Sequence, residues 1–195
     1  MHEFEKIKVT HSSSIELIIE NPTDLKLIGK GAHGAVFRLS KDICVKIYAD
    51  ANNAKMEAEA YKLSQNSDII PKLYGSGINY TVMEYIEGIS LLEFLSHKKE
   101  IPFYISNQLI NLFKEMQRIG FTRIDSSLRH IIIAADGHFK VIDLVYSYII
   151  CESFPKRAFD DLKDQFLLLP FLKHLMEIDP ELYAIWHSKI PKLTD

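Results

Sequence analysis

Three glycines between two apolar segments set the tightest limit on how this chain folds. Gly29, Gly31 and Gly34 fit the spacing Gly-x-Gly-x-x-Gly. In dinucleotide-binding folds such glycines open a helix, but residues 35–39 and 43–48 here are apolar and β-branched, which predicts strands. The glycines are therefore expected in a strand-loop-strand, where backbone N–H groups can approach phosphates. On these residues alone, a glycine-rich hairpin without a ligand is an equally good interpretation.

The composition excludes several classes of protein. The chain has 195 residues, 47% of them hydrophobic and 25% charged, which is typical of a globular protein with one domain or two small lobes. The net charge of −3 provides no basic surface, so nucleic acid is not expected as a main partner. No apolar run approaches the roughly 18 residues that a membrane span needs.

The N-terminus and the cysteines indicate the compartment. The first residues carry acids and no apolar segment, so we expect neither a signal peptide nor a transit peptide, and a cytoplasmic location. Cys44 and Cys151 lie far apart and lack the spacing of a metal or redox site. Both are expected to be free thiols.

Hydrophobic periodicity predicts a strand-rich first half and a helical second half. In the first half, strands are expected over residues 15–19, 25–28, 35–39, 43–48, 71–74 and 80–85, with turns at 40–42 and 75–77 and one helix over 51–64. In the second half, helices are expected over 91–97, 105–119 and from 157 onward with breaks at Pro170 and Pro180, and a hairpin over 131–142 around Asp136-Gly137.

A lysine and a glutamate follow the glycines. Lys46 lies in the apolar strand 43–48, a setting that lets its stem pack while its ammonium faces a phosphate. Glu57 and Glu59 lie on the next helix, where two positions diverge by about 200°, so only one can orient the lysine. We expect Glu57, with Glu59 as the alternative, although helix glutamates usually belong to a solvated face.

These residues and three later motifs resemble the protein-kinase superfamily. Residues 82–88 look like a kinase hinge with Met83 as gatekeeper, residues 123–130 resemble the catalytic loop His-Arg-Asp-x-x-x-x-Asn, and residues 141–145 resemble the Asp-Phe-Gly segment. The resemblance implies an α+β, bilobal protein-kinase-like fold. Residues 1–84 would form an antiparallel β-sheet lobe with one helix, and residues 85–195 a small, truncated helical lobe.

The resemblance also implies roles for individual residues. Asp125 would be the base or orienting group for the attacking hydroxyl, Lys46 with Glu57 would hold phosphates, and Asp143 would hold nucleotide-bound magnesium. Implied for ATP binding are Gly29, Gly31, Gly34, Val36, Cys44, Met83, Glu84, Ile86 and Ile132. Because phosphoryl transfer depends mainly on positioning and charge neutralisation, one lysine and two aspartates form a sufficient minimum. Two loop carboxylates in water are the structural alternative for Asp125 and Asp143.

Some positions depart from the kinase pattern. His130 replaces the metal-binding asparagine, which leaves a single metal on Asp143 or favours manganese through the imidazole, unless His130 is simply structural. Ser127 replaces a phosphate-neutralising lysine, whose charge Arg129 or Arg123 could supply. Leu144-Val145 replaces Phe-Gly, which favours a fixed segment. Asp160, Asp161 or Asp164 could anchor the catalytic loop, although three acids on one helix usually face solvent.

In its short activation segment and truncated C-terminal lobe, the chain resembles minimal kinases. These are the RIO kinases, the small kinase of the tRNA threonylcarbamoylation complex, and short bacterial serine/threonine kinase-like proteins. The implied activity is ATP-dependent phosphotransfer to a protein serine or threonine, with ATP and magnesium or manganese as cofactors. The protein substrate is not indicated. A pseudokinase that binds nucleotide or a partner without turnover is the second hypothesis. A small-molecule kinase of the aminoglycoside or choline type is the third, and it lacks the longer substrate lobe.

Overall fold

The computed structural model describes residues 2–14 and 16–190, which form two compact units. The first unit contains residues up to 87 together with 143–146, and the second contains residues 88–142 and those from 147 onward. Both units combine antiparallel strands with helices, so the chain has an α+β fold. None of the helices in the described ranges combines the length and the apolar character that crossing a membrane requires.

The first unit contains seven strands, one 3-10 helix and one α-helix among its described residues. The strands are β1 (Lys8–His11), β2 (Leu17–Glu20), β3 (Leu27–Lys30), β4 (Gly34–Arg38), β5 (Ile43–Tyr48), β6 (Leu73–Ser76) and β7 (Tyr80–Glu84). Strands β1 and β2 form a hairpin, and the other five form an antiparallel sheet in the order β3-β4-β5-β7-β6. Helix α1 (Ala51–Leu63) begins after Asp50, whose carboxylate accepts the Asn52 N–H at 2.8 Å and so caps the helix.

Strand β5 is buried on both faces, which explains its nearly continuous apolar sequence. Val45 and Ile47 face a core shared with Phe37 of β4 and with the N-terminal residues Phe4 and Val9. Lys46 and Tyr48 point to the opposite face, because successive side chains of a strand alternate. On that face Tyr48 packs against Ala54 of α1 and against Val145. Strand β5 therefore links the hydrophobic core to the side chains described below.

The second unit has a small sheet and five α-helices among its described residues. Strands β8 (Gly88–Ser90), β9 (Ile131–Ala134) and β10 (Phe139–Val141) pair in the order β10-β9-β8. The helices are α2 (Leu91–Lys98), α3 (Phe103–Arg118), α4 (Lys156–Asp164), α5 (Leu168–Ile178) and α6 (Pro180–His187). Trp186 packs edge-to-face against Phe113 and Phe159, and Phe159 packs in the same way against Phe171. These aromatic contacts join α3, α4, α5 and α6.

The end of α3 directs the chain into the loop that carries Asp125. Gly120 has φ +89°, and the N–H groups of Gly120 and Phe121 donate to the carbonyl oxygens of Gln117 and Met116 at 3.0 Å each. This is a Schellman arrangement, which requires a left-handed residue after the helix and therefore favours glycine. The loop is then tied to the segment before α4, because Ile124 N–H donates to the Glu152 carbonyl at 2.9 Å.

Most of the predicted elements are confirmed, and the differences are local. The strand predicted from Ile15 runs over Leu17–Glu20, and Ile15 itself lies outside the described residues. Gly75 belongs to β6, so the turn predicted at 75–77 begins only after Ser76. Strands β1 and β8 were not predicted.

The helix break predicted at Pro170 is wrong by a few residues. Helix α4 ends at Asp164 and α5 begins at Leu168, so the break precedes the proline and Pro170 lies in the first turn of α5. A proline is tolerated there because the first N–H groups of a helix have no partner within the helix. Pro180 does mark a helix boundary, as the first residue of α6.

Replacing Gly34 by alanine tests how closely the glycine-rich segment packs on β5. An added methyl group at Gly34 would overlap the carbonyl oxygen of Ile47, whereas at Gly31 it would meet no described atom within 4 Å. We expect Gly34→Ala to lower the free energy of unfolding by about 1–3 kcal/mol and Gly31→Ala to change it by no more than about 1 kcal/mol. Hydrogen exchange of the β4 and β5 amides, followed by mass spectrometry, measures both values. Equal protection in the two variants would contradict the expected close approach.

Candidate functional site

The regular structure of the first unit places Lys46 and Glu57 opposite each other. Lys46 lies on the face of β5 that is turned toward α1, as does Tyr48 two residues later. Glu57 lies one helical turn after Asn53 and one turn before Tyr61, and all three side chains are buried on the inner stripe of α1. Glu59 is exposed. Helix geometry therefore selects Glu57 as the residue that meets the lysine.

Glu57 is fully buried and accepts hydrogen bonds on both carboxylate oxygens. Its Oε2 accepts from Lys46 Nζ at 2.6 Å and from the Tyr48 hydroxyl at 2.7 Å. Its Oε1 accepts from the backbone N–H of Leu144 at 3.0 Å. A buried carboxylate is tolerated only when it is paired and hydrogen-bonded, and these three donors meet that requirement.

Asp143 completes this group from the segment 143–146. Its Oδ1 lies 2.9 Å from Lys46 Nζ, and its side chain is 31% exposed, so the lysine contacts one buried and one accessible carboxylate. The backbone of Asp143 has φ +65°, a left-handed conformation that aspartate adopts more readily than most residues. Leu144 and Val145 are buried directly after it, which fixes the segment against the first unit.

The charges of this group keep the lysine protonated. Burial alone would lower the pKa of Lys46, but the negative charges of Glu57 and Asp143, and the hydrogen bonds to them, outweigh burial and raise that pKa above its ordinary value. Burial, reinforced by the charge of Glu57, raises the pKa of Tyr48 well above its usual range. At neutral pH the site therefore presents an ammonium group between two carboxylates, and a tyrosine hydroxyl that stays a donor.

The glycine-rich segment is anchored at several points within the first unit. Gly31 N–H donates to the Gly34 carbonyl at 2.9 Å, and the His11 Nε2 lies 2.9 Å from the Ala32 carbonyl oxygen. The His33 Nδ1 lies 3.2 Å from the amide nitrogen of Asn53 on α1. Packing requires glycine at position 34 but not at position 31. The glycine at position 31 therefore needs an explanation other than packing against described residues.

The other residues predicted to bind the nucleotide also lie on the first sheet or just after it, apart from Ile132. Val36 is on β4, Cys44 on β5, Met83 and Glu84 on β7, and Ile86 follows β7. Cys44 and Met83 are register partners and both are buried. The Cys44 thiol lies 3.8 Å from the Glu84 carbonyl oxygen, and burial raises its pKa to about 12, so it stays neutral. Ile132 lies on β9 of the second unit.

In the second unit, Asp125 is bound by the start of α4. Its Oδ1 accepts the backbone N–H of Arg157 at 2.6 Å, and its Oδ2 lies 3.4 Å from Arg157 Nε and 3.5 Å from Arg123 Nη2. Pro155 precedes α4 and has no side-chain acceptor, so Asp125 takes over the capping of that helix. The side chain of Asp125 is 12% exposed. This contact gives Asp125 a structural role, whatever its chemistry.

Asp161 anchors the same loop from the middle of α4. Its Oδ2 accepts the Ser127 hydroxyl at 2.7 Å and the Leu128 N–H at 2.8 Å, while Asp160 and Asp164 are exposed. Of the three acids considered from the sequence, Asp161 is therefore the anchor. Ser127 carries no charge, and its hydroxyl bonds Asp161. In this loop Ser127 therefore has a structural role.

The metal-binding prediction concerned Asp143 and His130, which lie in different units. The His130 carbonyl accepts the Ile142 N–H at 2.9 Å, which ties the end of the loop to the residue before Asp143. Within residues 2–14 and 16–190, no group of three or more His, Cys, Asp or Glu side chains is arranged to hold a metal. Magnesium in nucleotide sites is commonly held by one or two carboxylates plus phosphates, so a site of that kind does not need such a group.

Three residues of the site were not identified from the sequence: Tyr48 bonds Glu57, Arg157 bonds Asp125, and Thr81 bonds Tyr48. Tyr48 could have been found from strand periodicity, because it lies two residues after Lys46 and shares its face. Thr81 is the register partner of Lys46 across β5 and β7, which requires knowledge of the strand pairing. Arg157 reaches Asp125 over a separation of 32 residues, and no local pattern indicates that contact.

Comparison with known proteins supports a kinase-like relationship. No protein-family model matches the chain. Over 138 residues, covering 68% of the chain, it is 27% identical to the "Putative serine/threonine-protein kinase YrzF" of Bacillus subtilis (strain 168). Over 139 residues, covering 61% of the chain, it is 27% identical to the "Probable serine/threonine-protein kinase CPE1738" of Clostridium perfringens (strain 13 / Type A). The matched regions span 64% of the first relative and 20% of the second.

Removal of the Asp161 carboxylate tests its role as anchor. Asp161→Ala leaves the Leu128 N–H and the buried Ser127 hydroxyl without their acceptor, so we expect the free energy of unfolding to fall by about 1.5–3 kcal/mol. Asp160→Ala is the matched control, because Asp160 is exposed and its contact with Lys156 one turn away is screened by solvent and contributes little to stability. Trp186, the only tryptophan, reports urea unfolding of the second unit by fluorescence. Similar values for the two variants would refute the anchoring role.

Two buried tyrosines allow the hydrogen bond to Glu57 to be measured separately from burial. Tyr48 and Tyr61 are 1% and 0% exposed, but the Tyr61 hydroxyl has no hydrogen-bond partner among the described residues. We expect Tyr48→Phe to lower the free energy of unfolding by about 2 kcal/mol, since it removes a bond to a charged group, and Tyr61→Phe to leave it unchanged or higher. Hydrogen exchange of the most protected β5 amides provides the values. A larger loss in the Tyr61 variant would contradict the assignment.

Proposed function

We propose that the chain is an ATP-dependent phosphotransferase that transfers the γ-phosphate of ATP to a serine or threonine hydroxyl of a protein. The observation that carries the proposal is the contact of Lys46 with both Glu57 and Asp143. It joins residues 97 positions apart in the sequence into one charged group beside a glycine-rich segment. The two relatives named as serine/threonine kinases support the same class of reaction.

The charged and glycine-rich residues of the first unit suit a nucleoside triphosphate. An ammonium group held by a buried carboxylate can neutralise phosphate oxygens without being free to move away from them. A glycine that packing does not require, at position 31, leaves room for phosphates to approach the backbone. We propose that adenine contacts Val36 and Cys44 and bonds to the backbone of Glu84 and Ile86, next to the gatekeeper Met83.

We also propose that a divalent cation arrives with the nucleotide and that Asp143 would provide a carboxylate oxygen for it. The sequence-based prediction that His130 adds an imidazole nitrogen stays a prediction. Such a cation would neutralise phosphate charge during transfer. Because nitrogen ligands suit manganese better than magnesium, both metals belong in any assay.

Asp125 would orient the acceptor hydroxyl in this proposal. Its Oδ1 is occupied by a short bond to the Arg157 N–H, whereas Oδ2 faces two guanidinium groups at 3.4 and 3.5 Å. These distances exceed those of tight charge-assisted bonds, so Oδ2 is the oxygen that could exchange a partner for a substrate hydroxyl. Arg123 and Arg157 provide positive charge beside it, in place of the lysine that Ser127 replaces.

The same contacts favour a second candidate, a pseudokinase that binds nucleotide without turnover. Asp125 already serves as the cap of α4 through Oδ1, and its Oδ2 faces two guanidinium groups. A carboxylate that is retained only for this structural bond would leave the first unit able to bind ATP but the chain unable to transfer phosphate. The two candidates differ in turnover, not in nucleotide binding.

Intact-mass spectrometry with ATP and either magnesium or manganese tests the proposal. The wild-type chain is incubated alone and with dephosphorylated casein, beside Lys46→Met, Asp143→Asn and the control Lys55→Ala, an exposed lysine of α1. We expect phosphate incorporation by wild type and by the control, and a loss of at least about 100-fold in the two site variants, since each removes charge stabilisation of the transferred group.

Nucleotide binding is measured in parallel by thermal unfolding. ATP present at 100 times its dissociation constant stabilises the folded state by about 2.7 kcal/mol when it binds that state alone. Stabilisation of the wild type without incorporation would replace the kinase proposal by the pseudokinase. Incorporation that survives in both site variants would refute the site itself.

A further inference from the structure

We propose that Tyr48, held in turn by Thr81, is a positioning residue that keeps Glu57 and Lys46 in their paired geometry. The proposal deepens the proposed function, since it concerns the lysine assigned to the phosphates. It follows from a chain of hydrogen bonds that runs from β7 through β5 to α1. Each member of that chain is buried or nearly so.

The direction of the hydrogen bonds follows from the chemistry of the groups. An ionised carboxylate only accepts, so the Tyr48 hydroxyl donates its single proton to Glu57 Oε2 at 2.7 Å. The contact between the Tyr48 oxygen and the Thr81 oxygen, at 2.9 Å, must then be donated by Thr81. Thr81 therefore donates to Tyr48 and Tyr48 donates to Glu57. A hydroxyl that accepts one bond donates the next more strongly, so the two bonds reinforce each other.

Sheet register explains why these residues meet. Lys46 and Thr81 are partners across the antiparallel pair β5–β7, so their side chains leave the same face of the sheet. Tyr48 lies two residues after Lys46 and shares that face. Two side chains of this face, Lys46 and Tyr48, thus bond a single glutamate of α1, and the third, Thr81, bonds Tyr48. The arrangement depends on the strand pairing and does not require any flexible segment.

Tyr48 contacts both members of the ion pair. Its hydroxyl bonds Glu57, and its ring centroid lies 5.1 Å from Lys46 Nζ, within the range of a cation–π interaction. The ring is buried in one cluster with Ala54 and Val145, so it has little freedom to follow a displaced glutamate. Glu57 can leave Lys46 only by giving up the Tyr48 bond inside the core. The lysine–glutamate pair is therefore part of the hydrogen-bonded core of the first unit.

Substitutions at Thr81 separate the hydroxyl from the shape of the side chain. Thr81→Val keeps the shape and removes the hydroxyl, whereas Thr81→Ser keeps the hydroxyl and removes a methyl group. Tyr48→Phe removes the central donor. Tyr61→Phe is the matched control, because it removes an equally buried hydroxyl that bonds no described residue.

Steady-state phosphotransfer from ATP is measured for these four variants below the temperature at which any of them unfolds. We expect kcat to fall about tenfold in Tyr48→Phe, because a small displacement of Lys46 affects the transferred phosphate more than it affects ATP binding. Thr81→Val should show a smaller loss in the same direction, and the KM for ATP should change less than kcat. Thr81→Ser and Tyr61→Phe should retain the wild-type kcat.

A second measurement does not depend on turnover. The Leu144 N–H donates to Glu57 Oε1, so its hydrogen exchange, followed by NMR, reports whether the glutamate stays in place. We expect Leu144 to exchange faster in Tyr48→Phe and Thr81→Val, while the remaining α1 amides and both control variants keep the wild-type rates.

The outcomes separate the two proposals. Wild-type Leu144 protection together with wild-type kcat in Tyr48→Phe overturns the positioning role, as does a Thr81→Ser variant that loses as much kcat as Thr81→Val. A wild-type chain that transfers no phosphate refutes the proposed function. In that case Leu144 exchange alone still decides whether Tyr48 holds Glu57.

Discussion

The buried carboxylate of Glu57 is the constraint on which the first unit depends. An ionised group in a protein interior must be matched by donors, and here three donors come from two separate parts of the chain: Lys46 and Tyr48 on β5, and the backbone N–H of Leu144. Meeting this requirement fixes the distance between the sheet and α1 and the path of residues 143–146. The site is therefore a consequence of how the unit satisfies one buried charge.

Carboxylates in the second unit serve a related purpose with less burial. Asp161 holds the loop through the Ser127 hydroxyl and the Leu128 N–H, and Asp125 holds the start of α4 through the Arg157 N–H. Both bind backbone groups that regular secondary structure leaves without partners. Irregular loop segments thus acquire defined positions from side chains that, in the sequence, resemble ordinary surface acids.

The sequence predicted the elements that have a local residue pattern, but not the contacts that depend on strand pairing or on the tertiary path of the chain. Strands β4 and β5, helices α1 and α3 and the β9–β10 hairpin follow from alternation, helical periodicity and turn residues. Helix geometry allowed only one of Glu57 and Glu59 to meet Lys46, and Glu57, the expected one, is the residue that lies on the buried face of α1. The contact of Thr81 with Tyr48 required the β5–β7 register, and that of Arg157 with Asp125 required the tertiary path of the chain, and neither leaves a local signal.

The segment Asp143–Tyr146 has a consequence for any dissection of the molecule. The chain passes between the units after residues 87, 142 and 146, so no single cleavage separates them. A fragment ending at residue 87 would lack Leu144 and Val145, and with them one donor to Glu57 and part of the packing around Tyr48. The isolated fragment would thus lack contacts to the buried residues Glu57 and Tyr48, and we do not expect it to fold on its own.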